Sequence, residues 1–236
     1  MILITVTDVQ TAEGSRGKFL ITVKLSNGHN AGHYAQHNEE VRTFTVFRYF
    51  LKNEIFSGEP PKVGDFLGAD KFEALEFAEA CSNAAIKAVS LLAFGDNTAK
   101  KLCDKLRQKG FSRDAAAEAV RFCVEKRYID EEDQLQRLME LLCDKKRYGL
   151  RRIRQEVWQK GFSEEVVKTC FEEYASSLDF DAAVYERVKR LGRDAFSTPE
   201  QKKKHVSSLL RYGFSIDEIN GALKRLHVDT VDDADL

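Results

Sequence analysis

The sequence predicts a mainly α-helical protein: three tandem three-helix repeats forming an elongated, curved array, preceded by a small β-rich N-terminal module. Three observations lead there. The tripeptide Gly-Phe-Ser occurs at 110–112, 161–163 and 213–215, with starts 51 and 52 residues apart. Each copy follows an apolar and basic run (KKLCDKLRQK, RRIRQEVWQK, HVSSLLRY) and precedes an amphipathic one (RDAAAEAV, EEVVKTCF, IDEINGAL). Residues before about 70 have a different texture, alternating apolar and polar side chains with the period of a half-buried strand. A recurrence of that length marks one supersecondary unit copied in tandem, and a unit of about 45 residues must stack on its neighbours to bury enough apolar surface.

The elements follow in order. Ile2–Val9 and Phe19–Leu25 read as strands joined by a turn at Gly14-Ser15-Arg16-Gly17, and Val41–Val46 reads as a third strand. Phe47–Phe56 fits either a short helix or an apolar strand. The Pro60-Pro61 and Val63-Gly64-Asp65 stretch ends the module, which is too small to bury a core alone and should pack on the first long helix. Asp70 is placed to cap that helix, which runs from Lys71 to about Phe94.

The segments are 1–69 for the module, 70–127, 128–176 and 177–228 for the repeats, and 229–236 for an acidic, solvated tail. Within each repeat the Gly-Phe-Ser triplet separates the second helix from the third. Gly110, Gly161 and Gly213 stand where a helix ends in a left-handed residue, a conformation that costs a side chain with Cβ about 1 kcal/mol. Phe111, Phe162 and Phe214 precede Ser112, Ser163 and Ser215, so each Phe can staple onto the next helix and each Ser can cap it. Ser215 with Glu218 has capping-box spacing, as does Thr198 with Gln201, where Pro199 also starts the helix.

Bulk properties narrow the function classes. Charged residues make up 32% of the 236 and balance to −1, so nucleic-acid affinity must come from local clusters. Five cysteines, an odd number with no CxxC pair, read as buried free thiols in a reducing cytoplasm; separately, a monomer is expected. Neither a signal peptide nor a membrane span is expected. No nucleophile–base pair, phosphate-cradling glycine loop or paired carboxylates stand out, so an enzyme is not expected, and no cofactor. His29, His33 and His37 have helical metal-ligand spacing, but Gly28, Asn30 and Gly32 break any helix there, so no metal site is expected.

The densest charge lies in KKRYGLRRIRQEVWQKGF, residues 145–162. Lys145, Lys146, Arg147, Arg151, Arg152, Arg154 and Lys160 face only Glu156, a net +6. Leu150, Ile153 and Val157 form the core stripe, and Arg151 and Arg154 share another face. Trp158 and Tyr148 are expected to pack in the core at a repeat junction. Lys100, Lys101, Lys105 and Lys109 in the first repeat form an analogous basic run, as do Lys202, Lys203 and Lys204 in the third.

Residues 149–161 resemble the signature of the RecX family of recombination regulators: a Gly after a basic segment, then Arg-Ile-Arg-x-Glu-Leu-x-x-Lys-Gly, matched by Arg152, Ile153, Arg154, Glu156, Val157 (for Leu), Lys160 and Gly161. Leu102, Lys105, Leu106, Lys109, Gly110 and Phe111 are similar to the family's first repeat. Tyr128-Ile129-Asp130 is similar to its Gly-Tyr-Leu-Asp junction, with Arg127 in the Gly position. Two departures stand out: Gln134-Leu135 where the family has an Arg-Phe pair, and the long polar stretch Asn27–Glu40.

The resemblance implies a non-catalytic protein that docks in the groove of the RecA recombinase filament on single-stranded DNA and bridges protomers. It would damp ATP hydrolysis, strand exchange and co-protease activity. The basic face of the middle helix in the second repeat is expected to make the central contact through Arg151, Arg152 and Arg154, with Lys145, Lys146, Arg147, Lys160, Lys100, Lys101, Lys105 and Lys109 as further binding residues; a merely solvated surface is the alternative for each of these groups. RecA filaments, single-stranded DNA and double-stranded DNA are the expected partners. A helical-repeat protein acting on DNA directly, and a non-catalytic protein scaffold, remain open beside it.

Overall fold

A computed structural model describes residues 2–12, 17–27 and 39–230. Most of the 14–17 turn, the three histidines at 29, 33 and 37, and residues 231–236 of the acidic tail lie outside the described residues. The chain forms two compact units. One gathers the described residues up to Asn97 together with Leu102–Ile129; the other takes Thr98–Lys101 and the described residues from Asp130 onward.

In the first unit, β1 (Ile2–Thr11), β2 (Lys18–Asn27), β3 (Glu39–Phe47) and the two-residue β4 (Phe66–Leu67) form an antiparallel sheet in the order β3-β2-β1-β4. The alternation read from the sequence is its physical basis: Ile4, Val6, Phe19, Ile21, Val23, Phe44 and Val46 are all buried. A bulge between Val6 and Asp8 shifts the β1–β2 register. Phe47–Phe56 resolves into the end of β3, a 3₁₀ turn at Arg48–Leu51 and a further turn in which Asn53 Oδ1 accepts from the N–H groups of Ile55 and Phe56.

α1 (Ala69–Leu92) lies against β3 and supplies what the strand lacks. β3 is an edge strand, and its outward N–H groups need acceptors. Glu79 Oε1 accepts from Thr45 N–H at 3.1 Å, and Ser82 Oγ accepts from Phe47 N–H at 2.9 Å while donating to Ala78 O at 2.7 Å. Arg42 adds ion pairs to Glu76 and Glu79. Asp70 does not cap α1. The N-cap is Gly68, and Asp70 lies inside the first turn, where its charge meets the positive end of the helix dipole.

α2 (Ala99–Gln108) and α3 (Arg113–Glu125) complete the first repeat. α1 and α3 face each other with small side chains, Ala78, Cys81, Ala85 and Ala88 on one and Ala115, Ala116, Ala119 and Cys123 on the other, all buried. Four of the five cysteines are buried; Cys103, expected to be so, is only half-buried.

The second unit contains α4 (Glu131–Glu140), running into a π-helical turn at Leu141–Lys145, then α5 (Leu150–Lys160), α6 (Glu164–Ser176), α7 (Phe180–Leu191), a 3₁₀ turn at Arg193–Phe196, α8 (Pro199–Arg211) and α9 (Ile216–Arg225). One continuous apolar core runs through all six helices, from Leu135 and Met139 through Ile153 and Phe171 to Val188, Leu209, Phe214 and Leu223. The second and third repeats therefore share their interior.

The triplets end helices as read, with φ of +93° at Gly110, +70° at Gly161 and +95° at Gly213. Ser112 Oγ accepts from Ala115 N–H at 3.2 Å, and Ser215 forms a reciprocal capping box with Glu218. Thr198 accepts from Gln201 N–H, with Pro199 starting α8. Ser163 departs from the pattern, since its hydroxyl makes no cap bond. Its N–H donates to Glu131 Oε2 at 2.8 Å, and the other carboxylate oxygen of Glu131 accepts from Ala99 N–H at 2.8 Å. One carboxylate thus serves the starts of both α2 and α6.

Candidate partner-binding surface

α5 is held at its start by α8. The carbonyls of Tyr212 and Gly213, orphaned at the end of α8, accept from Gly149 N–H at 2.9 Å and Arg151 N–H at 3.2 Å. With that end fixed and Ile153 and Val157 buried, the outward faces of α5 are set.

Arg151, Arg154, Gln155 and Trp158 follow i, i+3, i+4, i+7 spacing and share one solvent-facing stripe. Trp158 is 83% exposed, which overturns its expected place in the core. Ile153 and Val157 take the inward stripe, and a residue one step beyond Val157 is turned about 100° away from it. Tyr148 does pack against the shared core, its ring 5.9 Å from that of Tyr212.

The structure separates the three arginines. Arg151 is exposed, and its side chain has no partner among the described residues. Arg154 pairs with Glu172 at 2.8 Å over the ring of Phe171. Both members of that pair are largely solvent-facing, so it is worth about 0–1 kcal/mol and opens readily. Arg152 lies on the opposite flank, tied to Glu156 at 2.7 Å and placed over the Tyr148 ring.

Two further clusters gather in the same unit. Lys146 and Arg147 sit in the turn after the π segment, with Arg147 at φ +53°. Their carbonyls accept from Arg187, Nη2 to Lys146 O and Nε to Arg147 O, both at 2.6 Å, while the guanidinium lies over Tyr212. Lys145, Lys146, Arg147, Arg187, Arg190 and His205 line a cleft of about 270 Å³. Sequence reasoning missed Arg187 and Arg190. Both sit on an ordinary amphipathic helix, and only the tertiary fold brings them to the 145–147 turn.

At the far end of α5, Thr98 Oγ1 donates to Lys160 O at 3.0 Å, and the Lys100 side chain passes beside Gly161, the residue after Lys160. Lys105 and Lys109 belong to the first unit, where Lys105 Nζ donates to Asn97 Oδ1.

An antiparallel sheet module, tandem three-helix repeats and exposed arginine-, lysine- and tryptophan-bearing helix faces define a helical-repeat protein. The family model for RecX, first three-helix domain, matches residues 84–123, from the second half of α1 into α3. The chain is 27% identical over 190 residues to the regulatory protein RecX of Clostridium botulinum (strain Alaska E43 / Type E3), covering 75% of this chain and 84% of that one. A crystal structure of regulatory protein RecX superposes with a TM-score of 0.66 at 15% identity, covering 95% of this chain and 98% of that one. A crystal structure of RecX from Lactobacillus salivarius gives 0.56 at 20% identity over 64% of this chain and 98% of that one. At those identities the likeness is one of fold. Residues 84–123 thus match the RecX three-helix domain, and the curated relative and both solved structures named above are RecX proteins. No helix among the described residues is long and apolar enough to cross a membrane.

Proposed function

We propose that this chain is a cytoplasmic, non-catalytic negative regulator of the RecA recombinase. It binds the RecA filament on single-stranded DNA and lowers ATP hydrolysis, strand exchange and co-protease activity. The observation that carries this reading is the outward stripe of α5, in the segment that resembles the RecX signature. There an unpartnered Arg151, a weakly paired Arg154 and an exposed Trp158 stand together.

Arginine suits bidentate pairing with carboxylate or phosphate, and an exposed tryptophan supplies a large, rigid anchor. Arg152, already engaged by Glu156 and Tyr148, orients the helix. The test is RecA ATPase activity on single-stranded DNA with the wild-type chain and with Arg151→Ala/Arg154→Ala/Trp158→Ala. The variant should need at least tenfold more protein for equal inhibition. Undiminished inhibition by a folded variant removes α5 from the interface, and no inhibition by the wild type overturns the RecA reading.

The cleft lined by Lys145, Lys146, Arg147 and Arg190 favours a second reading, direct action on DNA. A protein neutralising Z phosphates loses affinity with salt at a slope of about −0.7Z on single strands. Inhibition appearing only at concentrations that coat naked DNA selects this reading.

A further inference from the structure

The first unit holds a cavity that the RecA reading does not use. It measures about 630 Å³ and lies where the end of β3 and the 3₁₀ turn meet α1 and α3. Its floor is aromatic. The Phe122 ring centroid is 6.1 Å from Phe47, 5.0 Å from Tyr49 and 6.1 Å from Tyr128, the two tyrosines meeting it edge-on. Phe122 and Phe47 are only half-buried, and Tyr128 is 53% exposed, so the cluster keeps open ring faces.

The rim is cationic. Lys18, Lys52 and Lys126 line it, and their side chains have no partner among the described residues. A fourth cation there, Arg48, pairs with Glu59 at 3.1 Å. None of the described residues lining the cavity carries a carboxylate.

Unpaired ammonium groups around a half-open aromatic floor are mutually repulsive, and the floor exposes apolar surface. One kind of ligand relieves both: a flat ring with a negative group at its edge. A base within a duplex has its faces stacked and cannot enter. We propose that this cavity takes one unstacked nucleotide of single-stranded nucleic acid, the base stacking on the exposed Tyr128 ring with Phe122 at its edge and the neighbouring phosphates meeting Lys52 and Lys126. Base–aromatic stacking combined with a cationic track is the general means of holding single strands. The site is built from residues of the first unit alone, and its test does not depend on RecA.

The test uses the full chain without RecA. A short thymidine oligonucleotide carrying 5-iodo-deoxyuridine is photo-crosslinked, and the adduct is mapped by mass spectrometry. Adducts at Tyr128 or Tyr49 are expected. In parallel, Lys52→Glu/Lys126→Glu, two exposed positions that leave the core untouched, should weaken oligonucleotide binding at least fivefold and make the salt slope shallower by about 1.4, at about 0.7 per lost phosphate contact. Free thymidine monophosphate at equal concentration should compete poorly. Adducts confined to Trp158, unchanged affinity and slope in the double variant, or free nucleotide binding as well as the oligonucleotide each overturn the proposal. A chain that fails to inhibit RecA yet gives the Tyr128 adduct loses the regulatory reading and keeps this one.

Discussion

Gly149 and Gly213 stand back to back. A Cβ on Gly149 would lie 2.4 Å from the carbonyl carbon of Gly213, and a Cβ on Gly213 would lie 2.3 Å from Arg152 N. The glycine ahead of the arginine-rich signature is thus a steric requirement, since only a bare backbone lets the start of α5 reach the carbonyls at the end of α8.

Gly149→Ala should therefore destabilise the chain by about 3 kcal/mol, at the upper end of overpacking costs, because the atom it meets is backbone. Gly110 shares the left-handed backbone of Gly213, at φ +93° against +95°, but has nothing within 4 Å of its would-be Cβ. Gly110→Ala should cost only the conformational strain, about 1 kcal/mol. Urea denaturation of the two variants checks this, and equal losses would remove the steric argument.

Arg127 adopts φ +55° at the end of α3, a left-handed conformation that favours glycine. Its side chain is exposed and has no partner among the described residues, so the strain has no compensating contact. Arg127→Gly should stabilise the protein by about 0.5–1 kcal/mol as relief of the left-handed conformation outweighs the added freedom of the unfolded chain. Thermal melting reads the result, and a lowered midpoint contradicts it.

The three equivalent serines should respond differently. Ser215→Ala loses a capping box and should cost about 1 kcal/mol, whereas Ser163→Ala removes no cap bond and should fall within about 0.5 kcal/mol of wild type. Glu131→Ala, which strips acceptors from Ala99 and Ser163 together, should cost about 2 kcal/mol. A Ser163→Ala variant as damaged as Ser215→Ala would show that its hydroxyl caps α6 after all.

Burial pushes the thiols of Cys123 and Cys143 up to about 11 and that of Cys81 up to about 12, from an ordinary 9.0. An acid whose pKa is raised in the fold contributes stability in full below its unfolded value. That contribution falls as pH rises from about 9 toward the native values, because the unfolded chain releases protons the native one retains. Equilibrium stability should decline above pH 9 and be insensitive to these groups below it. Near pH 8 the half-buried Cys103 should react first with a thiol reagent, and Cys103→Ser should abolish the fast phase.

Helix boundaries in the repeats were legible because Gly, Phe and Ser act locally: positive φ, a staple and a cap are decided within a few residues. The strands of the first module were legible for the same reason, since Ile21, Val23, Phe44 and Val46 announce a buried face by alternation. What escaped depends on partners distant in sequence. Ser163 fits the capping pattern, but Glu131, 32 residues earlier, binds its N–H. Trp158 looks like core by composition, yet the inward stripe of α5 is already filled. Asp70 resembles a cap until Gly68 takes the position. The basic segment at 145–160 was visible as charge, but only the fold divides it into the free Arg151, the lightly held Arg154 and the committed Arg152. The fold alone also places Arg187 behind the 145–147 turn.

The interior common to the second and third repeats has a thermodynamic corollary. Repeat proteins with an independent centre in every unit can fray from one end, losing a repeat at a time. Here Phe214 and Leu223 sit in the same cluster as Leu135 and Ile153, so the six helices from α4 to α9 should open as a single cooperative unit. Cleavage in the short link between α6 and α7 would leave two fragments, neither with a closed interior, and the residues of the α5 stripe would lose their positions along with the third repeat.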